Sequence, residues 1–340
     1  MAATIPLQSG GFEVVWRWGG RPPEMSRPFQ RSRDSSLRYA IEELKFLRSV
    51  KDARILLHKA EYLAPRKLGS LDHLARVPPS LQIEPTNYCN VNCVCCPTSR
   101  SARRKGYMDF DLFRQIIDDA SRIGVKRIRL FLHGEPMLHP QAVEMIRHIK
   151  SRGLTFQLTT NGMAFDRENI EAILRSEVTC GDQITFSILG HSRGVYESIM
   201  RGARLDTVAE NIRCFVETRE RLNVNGPVIE TIFYTMPENE GEQARYVEHW
   251  RGKVDHVRLG GRISVSFAKH KEGGHLERQR SRTCSNLWER MTVFWNGDVT
   301  LCCEDIDGDW VLGNLGEDPI EGIWNGERLQ FVRNCHKEKQ

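Results

Sequence analysis

Four of the ten cysteines fall within eight residues, at Cys89, Cys93, Cys95 and Cys96, and this crowding is the strongest chemical signal in the chain. The run Cys89-Asn90-Val91-Asn92-Cys93-Val94-Cys95-Cys96-Pro97 contains C-x3-C-x2-C. A loop leaving the end of a strand can curl three thiolates toward one centre. Three protein ligands on an iron–sulfur cube leave one iron without a protein partner, and a vacant coordination position lets a metal centre bind and activate a substrate. Soft thiolates suit iron–sulfur clusters and zinc alike. Structural zinc usually draws on two C-x2-C or Cys/His pairs, and only Cys93 and Cys96 have that spacing here. The residues alone leave a cluster, a zinc site and a simple electron-transfer centre open.

Four more cysteines lie toward the C-terminus, Cys284, Cys302, Cys303 and Cys335, while Cys180 and Cys214 stand apart. In a chain expected to be cytoplasmic, thiols read as metal ligands or catalytic groups before disulfides. Cys180 and Cys214 read as core residues, since free cysteine behaves as a small hydrophobe; a hydrogen-donating cysteine is the sharper alternative. His133 and His139 flank Gly134-Glu135-Pro136. Histidine titrates near neutrality, yet neither residue has a partner in the sequence that would assign it a catalytic role.

The elements that must position these residues follow from periodicity. Short apolar runs alternate with helical patterns, as in β/α units around a parallel sheet. The strands are expected at 81–84, 127–132, 155–159, 183–188, 228–234 and 256–259, with helices at 111–123, 140–152, 167–176, 205–222 and 241–250. Six units are too few for a closed (β/α)8 barrel. The expected fold is α/β, a partial (β/α)6 TIM-like barrel. An amphipathic helix is expected over 37–63. Residues 291–294 and 299–302 flank Trp295-Asn296-Gly297-Asp298, and Asn-Gly between apolar runs signals a hairpin; residues 319–332 then read as a short closing helix. The expected divisions are a poorly ordered lead (1–35), a helical extension (36–79), a core (80–260), a polar linker (261–283) and a small hairpin/helix module (284–340).

Composition narrows the class. Across 340 residues, 40% are hydrophobic and 27% charged, ordinary for a globular protein. No run approaches the roughly 20 apolar residues of a membrane span, and the first thirty residues contain no apolar stretch of a secretory signal. The expectation is a cytoplasmic protein that acts on no membrane. The net charge of +5 is uneven: residues 1–80 carry 14 Lys/Arg against 8 Asp/Glu. That excess suits an acidic partner or a phosphorylated substrate, or is a solvated helix face. No aromatic-basic interleaving accompanies it, which argues against nucleic acid.

The cysteine run resembles the signature of the radical S-adenosylmethionine (SAM) superfamily, including Asn90 after the first cysteine. Further motifs follow in that family's order. His133-Gly134-Glu135-Pro136 resembles the GGEP motif, which holds the amino group of SAM. Thr160-Asn161-Gly162 looks like the TNG segment of SPASM-type members, and Ser187 stands where a SAM-binding polar residue occurs. Arg201-Gly202 resembles the following RG element, whose arginine meets the SAM carboxylate. Each motif follows a strand, where ligands of open β/α sheets sit. A carboxylate such as Glu135 accepts hydrogen bonds from an ammonium group, and arginine forks onto a carboxylate. The resemblance implies that Cys89, Cys93 and Cys96 hold a [4Fe-4S] cluster, and that Gly134, Glu135, Pro136, Thr160, Asn161, Ser187 and Arg201 bind SAM. Two departures stand out: Cys95 replaces an aromatic residue and reads as a passive hydrophobe rather than a ligand, and His133 replaces the first glycine.

Cys284 and Gly297-x4-Cys302 resemble the opening of a SPASM or shorter twitch domain, which binds auxiliary Fe–S clusters. That pattern normally ends in C-x2-C after the closing helix. Here Cys335 is the single downstream cysteine, so Cys284, Cys302 and Cys335 are the candidate ligands of a second cluster, with Cys303 as an alternative. The resemblance implies reductive cleavage of SAM to a 5′-deoxyadenosyl radical that takes hydrogen from a substrate carbon. It also implies a low-potential electron donor such as flavodoxin or ferredoxin. The expected reaction is oxidation, epimerisation or a related change of a sugar- or aminocyclitol-like small molecule. A ribosomal-peptide maturase is the alternative, and a non-catalytic Fe–S or zinc-stabilised protein is the alternative of another class.

Overall fold

The computed structural model describes residues 76–262 and 284–338, together with the backbone of Glu13–Trp16. The helix expected over 37–63, most of the 36–79 extension, residues 263–283 of the expected linker and the rest of the lead lie outside the described residues.

In chain order the strands are β1 (Glu13–Trp16), β2 (Ser80–Ile83), β3 (Asn92–Cys93), β4 (Arg127–Leu130), β5 (Thr155–Thr160), β6 (Gln183–Ser187), β7 (Met200–Arg201), β8 (Val228–Thr235), β9 (His256–Arg262), β10 (Arg290–Val293), β11 (Asp298–Thr300) and β12 (Val311–Asn314). The helices are α1 (Phe110–Ile123), α2 (Ala142–Ser151), α3 (Arg167–Leu174), α4 (Arg193–Ile199), α5 (Leu205–Arg221), α6 (Gln243–Trp250), α7 (Asn286–Glu289), α8 (Ile320–Trp324) and α9 (Glu327–Lys337).

Helix α1 shows how local chemistry sets the boundaries. The Asp109 carboxylate accepts from the amides of Asp111 and Leu112, satisfying two donors that the first turn leaves free. Gly124 ends the helix in the left-handed conformation at φ +92°. Between them Phe113, Ile116, Ile117 and Ala120 recur at helical spacing and are buried. Each of the three large side chains contributes roughly 1.5–3 kcal/mol by leaving water.

Strands β2, β4, β5, β6, β8 and β9 pair in parallel in that order, the six-unit partial barrel expected from periodicity. Their two faces differ. Leu81, Ile83, Ile128, Leu130, Phe156 and Leu158 are buried in the apolar core. Gln82, Arg129, Gln157, Thr185 and Glu230 alternate with these apolar positions and hydrogen-bond across neighbouring strands. Such alternation turns one face toward the helices and the other toward the concave interior.

The sheet also extends where the sequence reading places no pairing. Strand β1 adds antiparallel to β9, inside the lead expected to lack order. The hairpin of the expected C-terminal module also extends the barrel sheet: β10 pairs in parallel with β2, Thr292 opposite Gln82. Strands β11 and β12 follow antiparallel. The closing helix is divided into α8 and α9, because Asn325-Gly326 interrupts it. One buried carboxylate anchors the far side: Asp182 accepts from Lys150 Nζ at 2.7 Å, the Thr179 amide at 2.7 Å and the Phe156 amide at 2.9 Å.

Candidate active site

The cysteine loop leaves β2 and is fastened at both ends by a neighbouring segment. Lys105 Nζ donates to the carbonyls of Asn87 (2.7 Å) and Thr98 (3.2 Å), which bracket Cys89 and Cys96. Thr86 Oγ1 donates to Gly106 O, and Asn87 Nδ2 to Arg104 O. The loop then forms a short ribbon with the RG element: β3 pairs antiparallel with β7, Asn92 opposite Arg201 and Cys93 opposite Met200. Helix α4, absent from the sequence reading, delivers β7 to that ribbon, with the Val94 amide donating to Ile199 O at 2.9 Å.

Cys89 is exposed, while Cys93, Cys95 and Cys96 are half-buried. Burial pushes the half-buried Cys93 thiol up, and the negative charge of the neighbouring thiolates adds to the shift. A coordinated metal removes this penalty, because a ligating thiol is deprotonated outright. Among the described residues no three His, Cys, Asp or Glu side chains gather closely enough to hold a single ion. Three soft thiolates on one loop are the donor chemistry that an iron–sulfur cluster takes. Cys95 packs against the core, and burial raises it to about 11.

The GEP and TNG motifs meet beside this loop. The Glu135 amide donates to Tyr88 O at 2.8 Å, next to Cys89. Gly134 must be glycine: a Cβ there would lie 2.2 Å from Thr86 O. The Glu135 carboxylate is turned into the protein, only 2% exposed. It accepts from Thr160 Oγ1 (2.8 Å), the Asn161 amide (2.7 Å) and the Met137 amide (3.2 Å). Burial nevertheless raises it to about 7. Asn161 Nδ2 in turn reaches Asn90 Oδ1 at 2.8 Å and Cys89 Sγ at 3.8 Å. Pro136 opens the short helical turn behind Glu135. Glu135 thus ties two motifs to the cysteine loop, a positioning role that motif order alone does not reveal. Ser187 is half-buried at the end of β6, and Arg201 is exposed on the ribbon.

Both histidines are structural. His139 is buried, its Nε2 donating to Met108 O at 2.8 Å and its Nδ1 accepting from the Gln141 amide at 3.0 Å. His133 Nε2 bonds Cys303 O at 3.2 Å, and its Nδ1 lies 3.3 Å from Arg103 Nη2. Arg103, which no motif singles out, forks onto the fully buried Glu84 at 3.0 and 2.7 Å and stacks on Phe294. It also donates to Ile306 O, so it joins the cysteine-loop segment to the C-terminal hairpin.

The C-terminal cysteines come from three places: Cys284 ahead of α7, Cys302 and Cys303 just past β11, and Cys335 on α9. The adjacent Cys302 thiol, and after it the Arg290 guanidinium, holds the Cys303 thiol below its ordinary range, while Cys284 bears electrostatically on it. The Cys284 amide donates to His336 Nδ1 at 3.4 Å, which ties it to α9, the helix that carries Cys335. Cys302 and Cys284 are exposed. Cys180 and Cys214 remain apart and half-buried.

Comparison with known proteins places this architecture. The model of the radical SAM superfamily matches residues 83–260, and the chain belongs to that enzyme superfamily. The model of the SPASM iron–sulfur cluster-binding domain matches residues 284–340. The radical SAM domain implies a [4Fe-4S] cluster and SAM, and the SPASM domain implies auxiliary Fe–S clusters. A cofactor-modifying protein for the tungsten-containing aldehyde ferredoxin oxidoreductase of Pyrococcus furiosus is 31% identical over 300 residues, 74% of this chain and 82% of the relative. A SAM-dependent 2-deoxy-scyllo-inosamine dehydrogenase of Niallia circulans is 24% identical, over 76% of this chain and 86% of the relative. Among solved structures, BtrN in complex with AdoMet and 2-DOIA aligns at TM-score 0.52 and 17% identity, covering 77% of this chain and 88% of that one. Streptococcus suis SuiB bound to the precursor peptide SuiA aligns at TM-score 0.58 and 15% identity, covering 88% and 79%. These two share the fold. No helix among the described residues is long and apolar enough to cross a membrane.

Proposed function

We propose that the chain is a radical SAM oxidoreductase or isomerase acting on a sugar- or aminocyclitol-like small molecule, with Cys89, Cys93 and Cys96 as ligands of the SAM-cleaving cluster. The observation that carries this reading is the linkage of Glu135, Thr160, Asn161 and Asn90 to Cys89. When bound, a reduced [4Fe-4S] cluster supplies the electron that cleaves SAM to the radical that takes hydrogen from a substrate carbon. The chain's own residues position that chemistry and exclude competing reactions. Lys105 and the β3–β7 ribbon hold the thiol loop in shape, Glu135 fixes the loop to the TNG segment, and Ser187 and Arg201 stand at the rim as SAM contacts. Cys284, Cys302 and Cys335, with Cys303 beside them, are the proposed ligands of an auxiliary cluster. A flavodoxin- or ferredoxin-type donor supplies the electron. The polar barrel interior and the likeness to a dehydrogenase of an aminocyclitol-type compound support a small-molecule substrate.

Anaerobic reconstitution followed by an assay for 5′-deoxyadenosine tests the reading. The full chain is expected to form it under reduction, and Cys89→Ala, Cys93→Ala and Cys96→Ala are each expected to abolish it. No SAM cleavage by fully loaded, reduced protein would sink the proposal. Iron counting separates about four from about eight per chain, the difference one auxiliary [4Fe-4S] cluster makes.

A further inference from the structure

The loop that joins β11 to β12 carries Cys302 and Cys303, yet several of its ties come from the radical SAM half of the chain. Its residues, 301–310, belong to no helix or strand. Ser101 Oγ donates to Ile306 O at 3.0 Å, Arg103 Nε to the same carbonyl at 2.8 Å, and the Ala102 amide to Asp307 Oδ1 at 2.7 Å. A fourth tie comes from His133, which stands where the GGEP motif has its first glycine. Its Nε2 lies 3.2 Å from Cys303 O.

The partners of His133 fix its hydrogen. A carbonyl only accepts, so Nε2 carries the ring hydrogen and donates it to Cys303 O. Arginine only donates, so the bare Nδ1 accepts from Arg103 Nη2 at 3.3 Å. Glu84 Oε2 lies 3.5 Å from the same nitrogen and already accepts from Arg103. One neutral tautomer therefore serves both sides. Arg103 is itself held by its fork onto buried Glu84 and by the Phe294 ring. His133 is buried, so its side chain is a fixed strut and not a surface group that happens to touch the loop. A glycine at this position has no side chain to hold Cys303 O.

The loop presents its cysteines in a tight turn. The Asp305 amide donates to Cys302 O at 3.0 Å, and the Glu304 amide to Cys302 Sγ at 3.4 Å. Soft thiolates are the donors an iron–sulfur cluster takes, and hydrogen bonds to their sulfurs help to set its potential. Cys303 O sits inside that turn, so whatever holds the carbonyl also holds the direction of both thiols.

We propose that His133 is a positioning residue of the auxiliary cluster, acting through Cys303 O on the turn that presents Cys302 and Cys303. The proposal rests on reading that turn as part of an auxiliary cluster site. It makes one short segment serve both cysteine loops: His133 holds Cys303 O, and two residues on the Glu135 amide donates to Tyr88 O beside Cys89.

The full chain with Cys89→Ala, Cys93→Ala and Cys96→Ala combined isolates the auxiliary site. After anaerobic reconstitution this parent is expected to hold about four irons. Adding His133→Leu removes the donor and keeps an apolar side chain in its place. The iron is then expected to be held roughly tenfold more weakly against a chelator, the scale on which outer-shell partners act. The midpoint potential, followed by electron paramagnetic resonance, is expected to shift as well. His133→Gln restores an N–H toward the carbonyl and is expected to fall between the two. A His133→Leu protein with the parent's iron retention and potential overturns the inference. So does weaker retention at an unchanged potential, which marks a histidine that only supports the fold, and so does His133→Gln behaving no better than His133→Leu. A parent that binds no iron removes the auxiliary-site reading underneath, whereas iron bound alike by the parent and His133→Leu removes this inference alone.

Discussion

Replacing Gly134 by alanine probes how closely the GEP motif and the cysteine loop must approach. The new methyl carbon would meet Thr86 O at 2.2 Å and both Asn87 Cα and Tyr88 O at 2.9 Å, where ordinary contact begins near 3.4 Å. All three obstacles are backbone, so none can rotate aside. The loop is also clamped from behind by Lys105, Arg104 and Gly106. The protein must part the two segments by roughly 1 Å, stretching the hydrogen bond from the Glu135 amide to Tyr88 O. Overpacking typically costs about 1–3 kcal/mol and a lost hydrogen bond about 0.5–1.5 kcal/mol, giving a destabilisation of about 2–4 kcal/mol. Urea unfolding of the apoprotein reads that change, and iron content after reconstitution reads the displaced loop. Gly194→Ala is the control: nothing lies within 4 Å of its Cβ position in α4, and alanine there is expected to gain about 0.5–1 kcal/mol. A Gly134→Ala protein with the wild-type urea midpoint and full iron content would refute the steric reasoning.

Three further outcomes are expected. Arg103→Met leaves Glu84 buried without its partner and should destabilise the protein by about 3–5 kcal/mol; adding Glu84→Gln should recover part of that loss, and no recovery would count against the pair as the cause. Lys105→Met removes both ties across the thiol loop, so iron should be lost to a chelator faster than from wild type, with Lys105→Arg intermediate; equal rates would contradict the clamp. Burial holds the His139 imidazole below its ordinary value and outweighs the help of Met108 O and Glu144, so the unfolded chain binds the extra proton more readily. The stability His139 contributes is present above the ordinary histidine range, near pH 6.5, and is lost as pH falls from there through the folded-state value. His139→Gln should flatten the acid limb of a stability–pH curve, and an unchanged slope would exclude His139 as its source.

The parallel core was legible because short apolar runs such as 81–84 and 127–132 alternate with helical patterns, the order that β/α units around a parallel sheet produce. The thiol loop was legible because three soft ligands at fixed spacing have few other uses. The pairing of β10 with β2 was not legible: some two hundred residues separate them, and nothing in Arg290–Val293 names its neighbour. The same distance hides the contact of Arg103 with the C-terminal hairpin. Glu135 was found by its motif, yet its inward turn depends on donors from Thr160 and Asn161 that meet it only in three dimensions. Arg290 carried no signal at all, since an arginine opening a hairpin is ordinarily a solvated one.

The union of β10 with β2 sets an order of events during synthesis. Strand β2 leaves the ribosome early, but the neighbour that covers its open side is encoded more than two hundred residues later. Until that neighbour arrives, β2 presents an unpaired edge, the kind of surface that recruits other chains. The ring around Arg103, with Phe294 and Ile306, also closes only then. The surroundings of the thiol loop are thus finished by the end of the chain rather than by its own segment. A ribosome stalled ahead of residue 290 would display a nascent chain in which Cys89, Cys93, Cys95 and Cys96 are present but their loop lacks the neighbours that Phe294 and Ile306 supply.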